Sequence, residues 1–358
     1  MFVHSPDPFA PRGGAETPPA VALHRRRWLK SVGLASAGLL VGGGWAAWKH
    51  WHPDPEDVLQ RGRVEGGHLR SESGDAQEAS GDASQAERRE ESKSHDEPTA
   101  REGIVRDRRF QYDRPETERV AAAQYTNFYE FSRFKSSWRL VGAFRPLPWT
   151  ITVDGLCRNP RQYTFDELLA RFSDRMRERQ YRHRCVERWA MAIPWYGFPL
   201  AELIRDADPL AEATHVRFVS FRRPDEAPMQ QSTIDEFPWP YVEGLTLPEA
   251  TNELAWLATG MYGEPLFKQH GAPLRLVVPW KYGYKSIKSI ERIEFVKGEP
   301  QTFWTSLRPD AFPFQSNVDP LVHIPWRQST ERMLGTQEEF ATKEYNGYGE
   351  WVAKLYET

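Results

Sequence analysis

The sequence predicts a mixed α+β domain, and three observations carry that prediction. Short runs that alternate apolar and polar residues, such as WTITVDGL from Trp149 to Leu156, read as strands. Short amphipathic helices lie between them, signalled by capping residues as in TFDELLARF from Thr164 to Phe172. The connections are irregular and marked by proline, and the regular βαβ repeat of a Rossmann fold is missing. The chain has 358 residues and a net charge of -3, which gives it no global attraction to nucleic acid. Its mean hydropathy of -0.67 is low for a globular enzyme, and one polar block near the N-terminus accounts for that.

Taken in order, residues 1–52 are expected to form a signal or an anchor. HRRRWLK (His24 to Lys30) precedes an apolar, Gly- and Ala-rich run from Ser31 to Trp48. The arginines and the weakly apolar run resemble a twin-arginine export signal, with Trp28 in the place of the usual Phe. About 18 residues is also the lower limit for a membrane span, so an anchor is the alternative. Gly44-Trp45-Ala46 is a poor cleavage site. Both readings put the remainder outside the cytoplasm, and the twin-arginine route carries proteins already folded, often around a cofactor.

Residues 53–118 are rich in Glu, Asp, Arg, Ser, Gly and Gln. Such a composition cannot bury enough surface to offset chain entropy, so a disordered linker is expected there. The folded domain is expected over 119–358, beginning near Ala121, where YTNFYEF (Tyr125 to Phe131) is too aromatic for linker. Beyond the Trp149 strand, Thr164 and Glu167 form a capping box, and Phe198 to Asp206 offers another short helix. His215–Phe221, Glu253–Thr259, Leu274–Trp280 and Ser289–Val296 read as strands. The tail from Gln301 to Thr358, with Trp304, Trp326 and Trp351, is expected to pack over the main body.

Two stretches carry chemistry. The first, YRHRCVERWAMAIPWYGFPL (Tyr181 to Leu200), sets Cys185 among Arg182, His183, Arg184 and Arg188. Nearby positive charge is expected to lower the thiol pKa and favour the thiolate, which attacks carbon or ligates metal; Glu187 would moderate that field or orient a group beside the cysteine. A buried structural cysteine is the plainer alternative. So is a disulfide with Cys157, the chain's other cysteine, which would contribute roughly 3 kcal/mol. The charge around Cys185 has no counterpart around Cys157, in its turn-like GLCRNP context. The second stretch, QHGAPLRLVVPWKYGYKSIK (Gln269 to Lys288), gathers His270, Arg275, Lys281, Lys285 and Lys288. It reads as an anion cradle or, equally, as a solvated hairpin. HExxH, CxxC and EF-hand patterns are missing, which disfavours zinc and calcium. One soft thiolate beside an anion site points to a metal carried on an anionic organic cofactor.

Four strings, NFYEF (Asn127 to Phe131), the Tyr181–Leu200 stretch, PYVEGL (Pro240 to Leu245) and HGAPLRLVVPWKYGYKSIKSI (His270 to Ile290), occur here in one order. With them, the chain from about Tyr125 to Trp304 resembles the catalytic subunits of bacterial periplasmic protein-methionine-sulfoxide reductases, molybdopterin enzymes of the sulfite oxidase fold group. The resemblance implies a β-rich sulfite-oxidase-type domain with Mo-molybdopterin, in which Cys185 ligates molybdenum beside the two sulfurs of the pterin dithiolene. It places Asn127, Tyr129 and Glu130 in a pterin-contacting segment and Arg275 on a pterin-contacting position. Ser220 falls where Thr is usual, and Ser286, Ile287 and Lys288 fall on the loop that holds the phosphate end, often Gly-Ile-Lys. His270 and Thr126 stand where some relatives have Asn. The implied activity is reduction of methionine sulfoxide residues in oxidised envelope proteins, fed by a haem-containing membrane electron-donor subunit. The chain itself shows neither CxxCH nor a cysteine cluster. Three competing readings remain: a sulfite-oxidase-like enzyme acting on another small oxo-substrate, a cysteine-nucleophile hydrolase with His183 as base, and a non-catalytic envelope binding module.

Overall fold

A computed structural model describes residues 53–69, 104–233, 237–323 and 325–357. The export motif, the apolar run from Ser31 to Trp48 and residues 70–103 lie outside the described residues. Among the described residues no helix is long and apolar enough to cross a membrane.

The first helix, α1 (Pro55–Gly62), falls inside the expected linker and corrects it. Glu56 and Asp57 in its first turn and Arg61 in its last complement the helix dipole. Val58 and Leu59 are buried, against α2 (Arg119–Gln124) and the turn Lys268–His270. Two adjacent apolar residues in a polar block leave the average composition almost unchanged, yet they suffice to dock one short helix. Residues 104–118 are likewise folded, with Phe110 buried and Arg106 bridged to Glu178.

The first sheet contains β1 (Thr150–Gly155) and β2 (Arg161–Thr164), followed by α3 (Phe165–Arg171). The Thr164–Glu167 capping box stands at the start of α3 as the sequence predicts. The second sheet is built on β3 (Arg177–Arg184) and β4 (Trp189–Pro199), antiparallel in register from Arg177–Gly197 to Arg184–Ala190. Ten of the eleven β4 residues are buried, because β3, β7 (Trp256–Met261) and the C-terminal β11 (Thr330–Met333) all pair with β4. Helix α4 (Leu200–Ala207) follows, then β5 (His215–Ser220), β6 (Val242–Thr246) and α5 (Leu247–Thr251). Downstream come β8 (Glu264–Pro265), β9 (Arg275–Val277), β10 (Ile290–Val296), α6 (Phe303–Leu307), β12 (Glu339–Ala341) and α7 (Gly349–Val352). The sheets run β2-β1-β10-β5-β6 and β12-β11-β4-β7-β8, with β3 on β4 and β9 on β7. One core joins them, around the fully buried Trp149, Trp195, Trp256 and Trp280.

This is the mixed α+β fold expected, with three shifts. The strand expected at Glu253–Thr259 starts at Trp256, because Asn252 caps a turn through Leu254 N and Ala255 N. The strand at Leu274–Trp280 is confined to β9, since Lys281 N turns back to the Val278 carbonyl. The tail contributes β11 and β12 to the second sheet as well as covering the core.

Candidate active site

Cys185 follows the last residue of β3, in a tight loop to β4 closed by Cys185 N to the Trp189 carbonyl and Arg188 N to the Cys185 carbonyl, both 2.9 Å. Arg188 takes a φ of 74° to make the turn. The neighbouring arginines pair with other groups, and although Arg184 also donates to the Cys185 carbonyl and its charge favours the thiolate, it does not outweigh burial, contrary to the expectation that the arginines would stabilise a thiolate. Arg182 reaches Asp113 and lies over the Tyr348 ring; Arg184 binds Glu331 at 3.0 Å and Gln328 at 2.9 Å; Arg188 reaches Glu339 at 3.0 Å. The partners of Sγ are Asn127 Nδ2 at 3.6 Å, the backbone N–H of Glu187 at 3.5 Å and Glu187 Oε2 at 3.8 Å. Burial, followed by the Glu187 charge, pushes the thiol up to about 12. The protein alone therefore holds a neutral thiol, which a metal ion must deprotonate as it binds.

His183 is not among the partners of Sγ; its ring lies 5.8 Å from the Trp189 ring and close to Gly283, where a Cβ would stand 2.6 Å from Nε2. That removes the general base from the hydrolase reading. Cys157 follows β1 in the other sheet and both cysteines are free, so no disulfide joins them.

Arg275, on β9, is 2% exposed and reaches three backbone carbonyls, of His270 and Ser286 at 3.0 Å and of Leu276 at 3.3 Å. Its guanidinium lies 4.8 Å from the Trp195 ring centre, and no carboxylate pairs with it among the described residues. Burial pulls it down to about 9. His270, which hydrogen-bonds the Ala122 carbonyl at 3.0 Å, is lowered to about 3 by burial and by the charges of Arg275 and Lys288. The same causes hold His183 neutral. Lys288 donates to the Asn127 carbonyl at 2.7 Å; Gly271, with φ 96°, allows its approach, since a Cβ there would meet the Lys288 side chain at 2.6 Å.

The remaining sequence-chosen residues divide between the surroundings of Lys288 and the aromatic cluster at Trp304. Ser220, at the end of β5, reaches the Lys288 carbonyl at 2.8 Å and Glu130 Oε1 at 3.3 Å. Burial raises the Glu130 carboxyl toward its neutral form and lowers Lys288. Tyr129 meets Trp304 edge-on at 5.0 Å and Phe237 at 6.1 Å. Ser286 accepts from Val278 N at 3.1 Å, and the Ile287 carbonyl accepts from Leu276 N. Lys281 and Lys285 are a correction to the expected cradle. Lys281 is buried on Glu249 at 2.5 Å and Asn317 at 2.8 Å, and Lys285 on Glu243 at 2.6 Å, so internal carboxylates already neutralise both.

These residues fit an anionic group bearing a soft metal. A buried arginine without a carboxylate, next to a lysine and two neutral histidines, leaves positive charge for a ligand to compensate. A buried thiol with two N–H donors aimed at it can accept a metal and keep its sulfur hydrogen-bonded. Asn127 Oδ1, buried without a protein partner among the described residues, offers a further polar contact.

Comparison with known proteins accords with this geometry. The model of the oxidoreductase molybdopterin binding domain matches residues 140–304. A protein-methionine-sulfoxide reductase catalytic subunit MsrP from Gluconobacter oxydans (strain 621H) is 52% identical over 239 residues, covering 65% of this chain and 76% of that protein. Its counterpart from Burkholderia mallei (strain ATCC 23344) is 48% identical over 238 residues, covering 65% of this chain and 71% of that protein. The sulfane dehydrogenase SoxCD from Paracoccus pantotrophus is a solved structure that aligns with TM-score 0.37 and 17% identity, over 55% of this chain and 45% of that one.

Proposed function

The chain belongs to the family of protein-methionine-sulfoxide reductase catalytic subunits, and on that premise we propose how its own residues serve a molybdopterin-dependent reduction of methionine sulfoxide in oxidised proteins. The observation that carries the proposal is the pairing of a buried thiol hydrogen-bonded by Asn127 and Glu187 N with a buried arginine that no carboxylate neutralises. When bound, the molybdenum–pterin group supplies two-electron removal of oxygen from a sulfoxide.

The chain supplies binding and orientation. Cys185 is the metal ligand. Asn127, Tyr129, Glu130, His270 and Arg275 would contact the pterin, and Ser286, Ile287 and Lys288 would hold its phosphate end. Ser220 holds the Lys288 backbone through its carbonyl, and the Asn127 carbonyl receives the Lys288 ammonium. Arg275 and Lys288 would meet anionic oxygen of the cofactor, the guanidinium through its N–H donors and the ammonium as a point charge.

The relatives' designation as a catalytic subunit implies a partner subunit. With two cysteines and no CxxCH motif, this chain has no haem or iron–sulfur relay of its own among them. We assign electron delivery to a haem-containing membrane subunit, and we place the enzyme in the periplasm, exported through residues 1–52 by the twin-arginine route. The catalytic unit comprises 119–358 together with α1 and residues 104–118.

Protein purified from molybdate-replete cells is expected to hold about one molybdenum per chain and to reduce oxidised protein substrates. Active protein free of molybdenum would reject the cofactor assignment. Reduction of free small sulfoxides only would reject the protein substrate.

A further inference from the structure

Glu187 lies two residues beyond Cys185, and its carboxylate gathers donors from three other side chains. Asn127 Nδ2 donates to Oε2 at 2.9 Å, Trp189 Nε1 to Oε2 at 3.2 Å, and Lys135 Nζ reaches Oε1 at 2.7 Å. Asn127 and Lys135 belong to the segment ahead of β1, and Trp189 opens β4. One carboxylate thus ties the pterin-side segment to the cysteine loop.

The consequence falls on the Asn127 amide. Its nitrogen carries two N–H bonds, and it is placed to use both, one on Glu187 Oε2 at 2.9 Å and one on Cys185 Sγ at 3.6 Å. Its oxygen is buried with no protein partner among the described residues. An amide is nearly symmetric in shape, so a flip costs little unless a neighbour distinguishes oxygen from nitrogen. Glu187 Oε2 does so, because it also receives the indole N–H of Trp189, which can only donate, and therefore meets the amide as an acceptor. Were Glu187 absent, the amide nitrogen would face only the cysteine sulfur, and a thiol, which both donates and accepts weakly, does not fix which end of the amide meets it. With Glu187 in place the sulfur receives an N–H from Asn127 besides the backbone N–H of Glu187. Hydrogen bonds to a ligating sulfur draw charge from it and raise the potential of the metal it holds.

We propose that Glu187 is a positioning residue for the reaction, holding the Asn127 amide nitrogen-first against Cys185 and so setting the potential of the group bound there. The proposal rests on the reading of Cys185 as the metal ligand. It assigns Glu187 an effect exerted through Asn127, separate from the effect of its own charge.

A double-mutant cycle separates the two. In the holoenzyme, Asn127→Ala should lower the molybdenum midpoint potential when Glu187 is present, and should have almost no effect in Glu187→Ala, where the amide is no longer held. Glu187→Gln, which keeps an acceptor for Asn127, should retain the Asn127→Ala effect. In the metal-free protein, Glu187→Ala should shift and broaden the Asn127 side-chain amide NMR signals, while the melting temperature shows that the variant folds. An equal Asn127→Ala shift in both backgrounds would overturn the proposal, since Glu187 would then act by charge alone. An unmoved Asn127 amide signal would also overturn it. Wild-type protein without molybdenum would reject the ligand reading instead, and the amide signal would still decide whether Glu187 holds Asn127.

Discussion

Replacing Arg275 by methionine should move stability and cofactor retention in opposite directions. In the metal-free protein the guanidinium is 2% exposed, and burial pulls it down to about 9. At about 1.4 kcal/mol per pH unit, that displacement from the ordinary arginine range corresponds to roughly 4–5 kcal/mol of unfavourable burial. Against it stand the hydrogen bonds to the carbonyls of His270, Ser286 and Leu276, each contributing about 1 kcal/mol net. Methionine fills a similar length against Trp195 without charge. The metal-free Arg275→Met protein should therefore be as stable as wild type or more stable by about 1–2 kcal/mol, the difference between the two contributions. In a domain of this size that corresponds to a rise of a few degrees in Tm. The same variant should lose pterin and molybdenum, because it removes the charge that compensates the anion. Thermal unfolding of metal-free protein and cofactor content of protein from molybdate-replete cells check both halves. A variant whose metal-free form is destabilised by several kcal/mol, and which still holds its cofactor when made in molybdate-replete cells, would make Arg275 a structural residue.

Other expectations follow from the same geometry. Val58→Asp in α1 should cost on the order of 3 kcal/mol or more by burying an unpaired charge at a position 0% exposed, and lower the Tm of the catalytic unit; a silent variant would return 53–69 to the linker. Cys157→Ser should leave molybdenum content and activity near normal, and thiol counting without reductant should find both cysteines free, whereas loss of both thiols would restore the disulfide. His270 is neutral in the fold, with its pKa lowered to about 3, so between about pH 6.5 and 3 the unfolded chain binds a proton that the folded one does not. Its contribution is present at neutral pH and is lost as pH falls through that window. His270→Asn should therefore reduce the pH slope of metal-free stability there by up to about 1.4 kcal/mol per pH unit, and an unchanged slope would contradict the burial argument.

Much of the fold was legible because local signals and tertiary structure agree. The Thr164–Glu167 box, the alternation at Trp149–Leu156 and the strands at His215 and Ile290 all stand where the sequence places them. Helix α1 was hidden because only Val58 and Leu59 report its buried face within a polar block. The family strings suggest Cys185, Asn127, Arg275 and Lys288 as one site, and the fold hydrogen-bonds Asn127 to both Cys185 and Lys288, with the Arg275 charge acting on Lys288. Charge adjacency along the chain misled in two places. The arginines beside Cys185 in sequence turn to Asp113, Glu331 and Glu339, and Lys281 and Lys285 turn to buried glutamates, because loop geometry rather than spacing decides where a long side chain ends. Glu187 carried the opposite lesson. Its position two residues after the cysteine was visible, but its partners Asn127 and Lys135 lie far back in the chain, and only the tertiary fold brings them together.

We propose that the Cys185 thiol becomes a molybdenum ligand. Molybdenum-edge X-ray absorption on the purified holoenzyme and on Cys185→Ser tests it most directly. The wild-type spectrum should show one sulfur neighbour more than the pterin dithiolene provides, and Cys185→Ser should lose that sulfur or the metal altogether. An identical sulfur count in both proteins, with molybdenum retained, would exclude Cys185 as the ligand.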